Sequence, residues 1–255
     1  MPGFLPRWLE PEGQSHPERS LLRELLCAMP HAARLTPQES DAILDLALRF
    51  LRRKTIEGAA GLTVEASMRH CIALQACLPV LHLGLHLYTG WHAIILYPDE
   101  FRAPFEYADE AGVVHQGSRD LLGESWHRGP VILAWSRVRA DATDPEPTGN
   151  VLVHEMAHKL DLRNGKVNGM PPLHREMDPR RWSGIMGAAF DDLHRLLQEG
   201  LEPPIDPYAA HSPGEFFAVA SELFFVWPQR LVQAYPLVYE QLRLYYRQDP
   251  ATSGS

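Results

Sequence analysis

The chain reads as an α+β protein, mostly helical with one small mixed sheet. Three observations predict this class. Apolar residues recur at helical spacing in blocks toward both ends of the chain. Two short runs rich in β-branched and aromatic residues, WHAIILYP (91–98) and GPVILAWSRV (129–138), stand between those blocks. No regular alternation of strand and helix marks a doubly wound sheet.

Ser20 to Met29 has helical periodicity and stops at Pro30. Thr36, Pro37 and Glu39 then fit N-cap, first-turn proline and capping-box glutamate ahead of AILDLALRFL. A third helix is expected from Thr63 to Leu78, and the three form a helical layer. The runs at 91–98 and 129–138 are bounded by Gly, Pro and Asp and are expected as strands. DATDPEPTGN (141–150) is a loop by composition, and its Asn150 is placed to cap a helix over VLVHEMAHKLD (151–161). RNGKVNGMPPLHREMDP is irregular and long enough to suggest a functional loop. Asp178 and Pro179 open a helix to about Gln198, EGLEPPIDP is a turn or linker, Pro213 opens a helix to Val226, and a last helical stretch runs to about Gln248. ATSGS closes the chain as a frayed tail. No linker separates two self-sufficient blocks. One domain is therefore expected over 1–255, with an N-terminal helical part (1–62), a catalytic core (63–248) and a disordered tail (249–255).

Composition excludes several classes. The 255 residues are 45% hydrophobic and 22% charged, as in ordinary globular proteins, and no window is apolar for the roughly 18 residues a membrane span needs. MPGFLPRWLEPEGQ lacks the basic and apolar regions of a secretory signal. A net charge of -8 argues against direct binding to nucleic acid. Cys27, Cys71 and Cys77 lie in helix-like apolar stretches, form no CxxC pair and read as buried small hydrophobes in a reducing cytoplasm. A bound metal would have to use His and carboxylate.

VLVHEMAHKLD supplies that chemistry. Residues four apart on a helix differ by about 40° in angle and about 6 Å in rise, so His154 and His158 share a face and can share an ion. Zinc takes neutral imidazoles, and Glu155, about 100° further round, can serve as general base toward zinc-activated water. An H-E-x-x-H string arises by chance in roughly a few per cent of such chains. The apolar flanks weigh against chance, because burying two imidazoles and a carboxylate without partners would cost several kcal/mol. His82 and His86 are also four apart, but their segment is Gly-interrupted and has Leu83 where the motif has Glu, so they read as satisfied or exposed.

The third ligand is less local. Asp161 lies about 10.5 Å along the axis from His154 and reads as an acceptor behind the ligands or a helix-end partner. In HSPGEFFAVASELFFVW (211–227), Ser212, Pro213 and Glu215 fit a capping box, which would turn Glu215 back on the backbone. The helix that follows is apolar nearly all round, so a buried carboxylate at Glu215 or Glu222 needs a partner, and an ion would supply one. Glu215 is the stronger candidate and Glu222 the alternative, with a supporting role behind the ligands.

Through HEMAHKLDLRNG, PYAAHSPGEFFAVASELFF and GESWHRGPVILAW, the sequence resembles the MtfA (Mlc titration factor A) family of zinc peptidases, from about Leu48 to LYYRQDP. The catalytic part of that family is similar to the protease domain of anthrax lethal factor. The resemblance implies a zincin-like fold, one Zn²⁺ held by His154, His158 and Glu215, and Glu155 as catalytic base. It also offers Tyr208 as a donor to the oxyanion, with His211 as the substitute; Tyr208 read alone is a turn tyrosine after Pro207. In zincin folds an edge strand pairs with the extended substrate, and GPVILAWSRV is the candidate here, its plain alternative being a core strand. Family members are cytoplasmic peptidases, some aminopeptidase-like, and some bind the transcription repressor Mlc.

The expected function is thus a gluzincin-type (HExxH…E) metallopeptidase acting on peptide or protein substrates. The alternative is a regulatory protein that sequesters a transcription repressor around a structural or vestigial zinc site. Hydrolysis of a non-peptide amide is a third reading. PLVYEQLRLYYRQDP reads as a core-packing helix rather than a partner surface.

Overall fold

The computed structural model describes residues 17–99, 129–145 and 149–252, together with the backbone of 105–108 and 114–117. MPGFLPRWLEPEGQ, GESWHR (123–128) and the last three residues of the expected tail lie outside the described residues.

Two helices, α1 (Pro17–Ala28) and α2 (Pro37–Arg53), lead into strand β1 (Thr55–Gly58) and helix α3 (Ala66–Cys77). Thr36 caps α2 as expected: its hydroxyl accepts from Glu39 N–H while the Glu39 side chain accepts from Thr36 N–H. In α1, Leu22 and Leu26 fill the inward face. Cys27, about 100° round from Leu26, is consequently exposed, which corrects the expectation of three buried thiols; Cys71 and Cys77 are buried.

Strands β2 (Ala93–Tyr97) and β5 (Val131–Ala134) flank a second pair, β3 (Phe105–Ala108) and β4 (Val114–Gly117). The sheet is not mixed. Strands β1, β2 and β5 make one parallel sheet in the order β1-β2-β5, and β3 and β4 pair antiparallel in a sheet of their own. Ile94 and Leu96 of the central strand are fully buried and stand beside Val131 and Leu133. The α+β expectation holds, while β1 was not legible: only Ile56 of its four residues points inward.

GPVILAWSRV is only partly a strand. The ladder ends where Tyr97 pairs with Ala134, and one further bond, from Ser136 N–H to Pro98 O at 3.1 Å, ties the start of the next helix to β2. Trp135–Thr143 then forms α4, which buries Val138 and Ala142 one turn apart and pairs Arg137 with the buried Asp141 at 2.9 Å. The loop before Asn150 is shorter than expected.

Helix α5 (Val151–Asp161) follows, then a 3-10 turn over Leu162–Asn164, the long helix α6 (Pro179–Gln198), α7 (Pro213–Val226), α8 (Pro228–Ala234) and α9 (Pro236–Tyr246). Pro236 divides what read as one closing helical stretch into α8 and α9. Tyr239, Leu242, Tyr245 and Tyr246 of α9 are buried, as a core-packing helix requires. Residues 249–252 also fold back, with Gln229 Nε2 donating to Ala251 O at 2.8 Å, so the ordered chain runs past the expected start of the tail.

Helix α7 is the centre of the core. Phe216, Phe217, Val219, Phe224 and Phe225 are all buried, and Arg34 closes its C-terminus by donating to the carbonyls of Phe225 and Val226 at 2.9 and 3.0 Å. Its neighbour α5 buries Leu152, Val153, Met156, Ala157 and Leu160. The two run antiparallel, since Gly214 at the start of α7 lies against Asp161 and Glu222 reaches Asn150. That pairing sets the site.

Candidate metal centre

Helix α5 is secured at its start before it presents any chemistry. Asn150 Oδ1 accepts Val153 N–H at 2.9 Å, and Asp141 Oδ2 accepts Val151 N–H at 2.8 Å. A side-chain cap of this kind stabilises a helix by about 1 kcal/mol.

One turn on, the Nε2 atoms of His154 and His158 stand 3.0 Å apart. Glu215 Oε2 completes the triangle, 3.0 Å from His154 Nε2 and 3.2 Å from His158 Nε2. The capping-box alternative for Glu215 is not realised: Ser212 accepts from Glu215 N–H at 3.2 Å, while the carboxylate turns to the histidines. These three are the residues among those described whose ligand atoms cluster in a metal-binding set. Tetrahedral zinc with ligands at about 2.0 to 2.1 Å requires ligand atoms about 3.3 Å apart, so the triangle needs to spread only by a few tenths of an ångström. Two imidazoles and a carboxylate are the donor set such an ion takes.

Burial disfavours charge on His154, but the hydrogen bonds its ring donates to Glu215 and Glu222, with the charges of Glu222 and Glu155, outweigh it and raise the imidazole to about 10. Burial likewise opposes charge on Glu215, and hydrogen bonds from His154 and His158 overcome it, holding the carboxyl well below the usual range.

Behind the triangle, Glu222 Oε1 lies 2.6 Å from His154 Nδ1 and Oε2 accepts Asn150 N–H at 2.7 Å. Gly149 leaves the room for this, since a Cβ there would come within 2.5 Å of Glu222 Oε2. Glu222 therefore braces a histidine from behind instead of joining the triangle. Asp161 is fully buried and faces the loop: Oδ2 accepts Gly169 N–H at 2.7 Å and Oδ1 accepts Met170 N–H at 2.9 Å. It is a helix-end partner. The RNGKVNG segment is thereby pinned at its far end, where Trp182 Nε1 also donates to Gly169 O at 2.9 Å.

Tyr208 lies in a 3-10 turn, Pro207–Ala210, that Asp206 opens by accepting Tyr208 N–H at 2.8 Å. Its ring centroid is 6.2 Å from that of His154 and 4.6 Å from that of His211. His211 is exposed, with Nδ1 2.9 Å from Tyr208 O. Glu155 is half-buried on α5. His82 and His86 are both exposed, and His82 Nε2 lies 2.8 Å from Glu39 Oε1.

Two residues of the surroundings were missed in the sequence. Gln75 is fully buried and accepts Asn150 Nδ2–H at 2.8 Å; the signal was a lone amide inside the apolar run CIALQACL. Asp141 was counted as loop. A cavity of about 390 Å³ opens beside Glu222, lined by Glu202, Asp206, Val219, Leu223 and Arg230 among others.

Residues 8–247 match the family described as glucose-regulated metallo-peptidase M90. Mlc titration factor A of Salmonella arizonae is 37% identical over 230 residues, covering 88% of this chain and 89% of that protein. The proteins of that name from Salmonella gallinarum and Salmonella typhimurium are 36% identical over 230 residues, covering 88% of this chain and 84% of theirs. A family match over nearly the whole length, with relatives above one third identity, places the chain: it belongs to the M90 family of glucose-regulated metallo-peptidases.

Proposed function

We propose that this protein is a zinc-dependent peptidase of the HExxH…E type, built on a zincin-like fold as one domain. The triangle of His154 Nε2, His158 Nε2 and Glu215 Oε2, with sides of 3.0 to 3.2 Å and Glu155 on the same helix, carries the reading. His154, His158 and Glu215 hold the ion, which when bound polarises the scissile carbonyl and lowers the pKa of water. Glu155 accepts a proton from the attacking water and delivers it to the leaving amine. Tyr208, beside His154, donates to the oxyanion as the carbonyl becomes tetrahedral. A structural zinc would have no use for Glu155.

The substrate is a peptide or protein. Strand β5 pairs with β2 on one side, and among the described residues no strand covers its other edge, which suits pairing with an extended chain. The cavity beside Glu222 has room for a substrate side chain. Trimming from the N-terminus, as an aminopeptidase does, and a cytoplasmic location belong to the same reading. No helix among the described residues is long and apolar enough to cross a membrane. The name of the relatives, Mlc titration factor A, favours a second role in sequestering a transcription repressor. Both roles can reside in one chain.

The test is mass spectrometry of a diverse peptide pool incubated with zinc-loaded wild type and, in parallel, with Glu155→Gln. Cleavage by wild type alone supports the peptidase, and the fragment ends distinguish trimming from internal cutting. Equal cleavage by both removes Glu155 from its role. No cleavage by either shifts the reading to sequestration, for which binding to purified repressor is the measurement.

A further inference from the structure

Gln75 is a fully buried amide that the peptidase chemistry above does not use. The residues around it in α3, Cys71, Ile72, Ala73, Leu74, Ala76 and Cys77, are buried and apolar. Leu or Met at this position would fill similar space without removing an amide from water, which costs about 1 to 3 kcal/mol when left uncompensated. The amide nitrogen is poorly compensated: its contacts to Cys71 O, Cys71 Sγ and Val138 O are 3.4, 3.3 and 3.5 Å. The short bond is the one from Asn150 Nδ2 to Gln75 Oε1, at 2.8 Å. The strongest link of Gln75 therefore leads to Asn150.

Asn150 is also fully buried, and its amide has only one consistent orientation. Val153 N–H can only donate, so Oδ1 must face it, and Nδ2 must then face Gln75 Oε1. With the side chain held at both ends, the Asn150 backbone N–H points at Glu222 Oε2, 2.7 Å away. The other oxygen of Glu222 faces His154 Nδ1 at 2.6 Å. A carboxylate there makes Nδ1 the donor, which leaves the Nε2 lone pair directed into the triangle when the ring is neutral. Helix capping alone would not need this amide, since Ser or Asp caps equally well. Asp at position 150 would place a second carboxylate beside Glu222. The sister ligand has no such chain: His158 Nδ1 is buried and meets no hydrogen-bond partner among the described residues.

We propose that Gln75 and Asn150 are positioning residues for the metal centre, holding Glu222 and through it His154 in the orientation that ligates. The inference rests on the zinc-peptidase reading and adds to it a line of hydrogen bonds from the N-terminal helical layer, 79 residues before His154 in the chain, to one ligand. It also explains why α3 spends a buried position on an amide.

The experiment measures zinc affinity by competition with a chromophoric chelator for wild type, Gln75→Leu and Asn150→Ser, each alone and combined with Glu222→Ala. Unfolding of the metal-free proteins is followed in parallel. Asn150→Ser keeps the cap and the backbone N–H while removing the link to Gln75, so it serves if Gln75→Leu folds poorly. Each single variant should weaken zinc binding about tenfold, as loss of a supporting hydrogen bond behind a ligand does. In the Glu222→Ala background neither should weaken it further, because residues acting through one chain are not additive. Unchanged affinity in both single variants, or the same loss with and without Glu222, overturns the proposal. A wild type that binds no zinc overturns the zinc reading itself and this inference with it.

Discussion

Glu222 holds the Nδ1 edge of His154 at 2.6 Å while Glu215 meets the Nε2 edge of the same ring at 3.0 Å. Two carboxylates seven residues apart on α7 thus grip opposite sides of one imidazole, and only Glu215 also reaches His158. Their substitutions should therefore differ in kind. Glu222→Ala is expected to weaken zinc binding by about 10- to 100-fold, the usual effect of losing a partner behind a ligand. On the proposed assignment Glu215→Ala removes a ligand atom and should weaken it further. Chelator competition checks the order, and a larger loss in Glu222→Ala would exchange the two assignments.

The Tyr208 ring lies tilted beside His154, with centroids 6.2 Å apart, without belonging to the triangle. Tyr208→Phe keeps the ring and removes the hydroxyl, so zinc content should stay at the wild-type level. The turnover number should fall by about 10²- to 10³-fold with little change in KM, as for other oxyanion donors. A turnover number within a factor of about two of wild type would return Tyr208 to the role of a turn residue.

Asp161 accepts two backbone N–H groups of the loop that follows α5. Asp161→Ala leaves both donors without their acceptor, and a buried donor left this way costs about 1 to 3 kcal/mol. Gly169→Ala should destabilise the same junction by a separate route: φ is +71°, and an added Cβ would run into Pro213 O. Denaturant unfolding of the metal-free proteins reads both losses. Wild-type stability in both variants would show that the loop is not pinned there.

Lys54 donates to the carbonyls of Tyr88 and Trp91, each at 2.5 Å, and its ammonium sits 3.6 Å above the Trp91 ring. Burial, aided by the charges of Lys159 and Arg53, pushes its pKa down from 10.5 to about 8. Between those values the unfolded chain holds the proton that the folded chain has released, so raising the pH favours folding. Wild type should gain stability from about pH 8 to about 10.5 relative to Lys54→Met, by at most about 1.4 kcal/mol per pH unit. Parallel pH profiles for the two proteins would show that Lys54 does not titrate differently on folding.

Much of the local architecture was legible because its causes lie within a few residues. The Thr36–Glu39 capping box, Asn150 at the head of α5 and Pro213 at the head of α7 each depend on bonds that span no more than three positions. The i, i+4 spacing likewise puts His154 and His158 on one face before any fold is known. The end of β5 was not legible, because strand and helix meet between Ala134 and Trp135 inside one continuous apolar run with no Gly or Pro at the junction. Cys27 could not be told from Cys71 and Cys77 by local pattern, since which face of α1 turns inward depends on the helices packed against it.

By itself the sequence determined the helix that carries His154, Glu155 and His158, since one turn of helix suffices to align them. Only the tertiary structure decided between two carboxylates on α7. Glu215 and Glu222 share a face, and the sequence offers no measure of how far α7 slides along α5. The antiparallel packing that sets Gly214 against Asp161 brings Glu215 to both Nε2 atoms and Glu222 to the back of one ring. It decided the use of Gln75 for the same reason: a hydrogen bond over 75 residues exists only once the chain has folded.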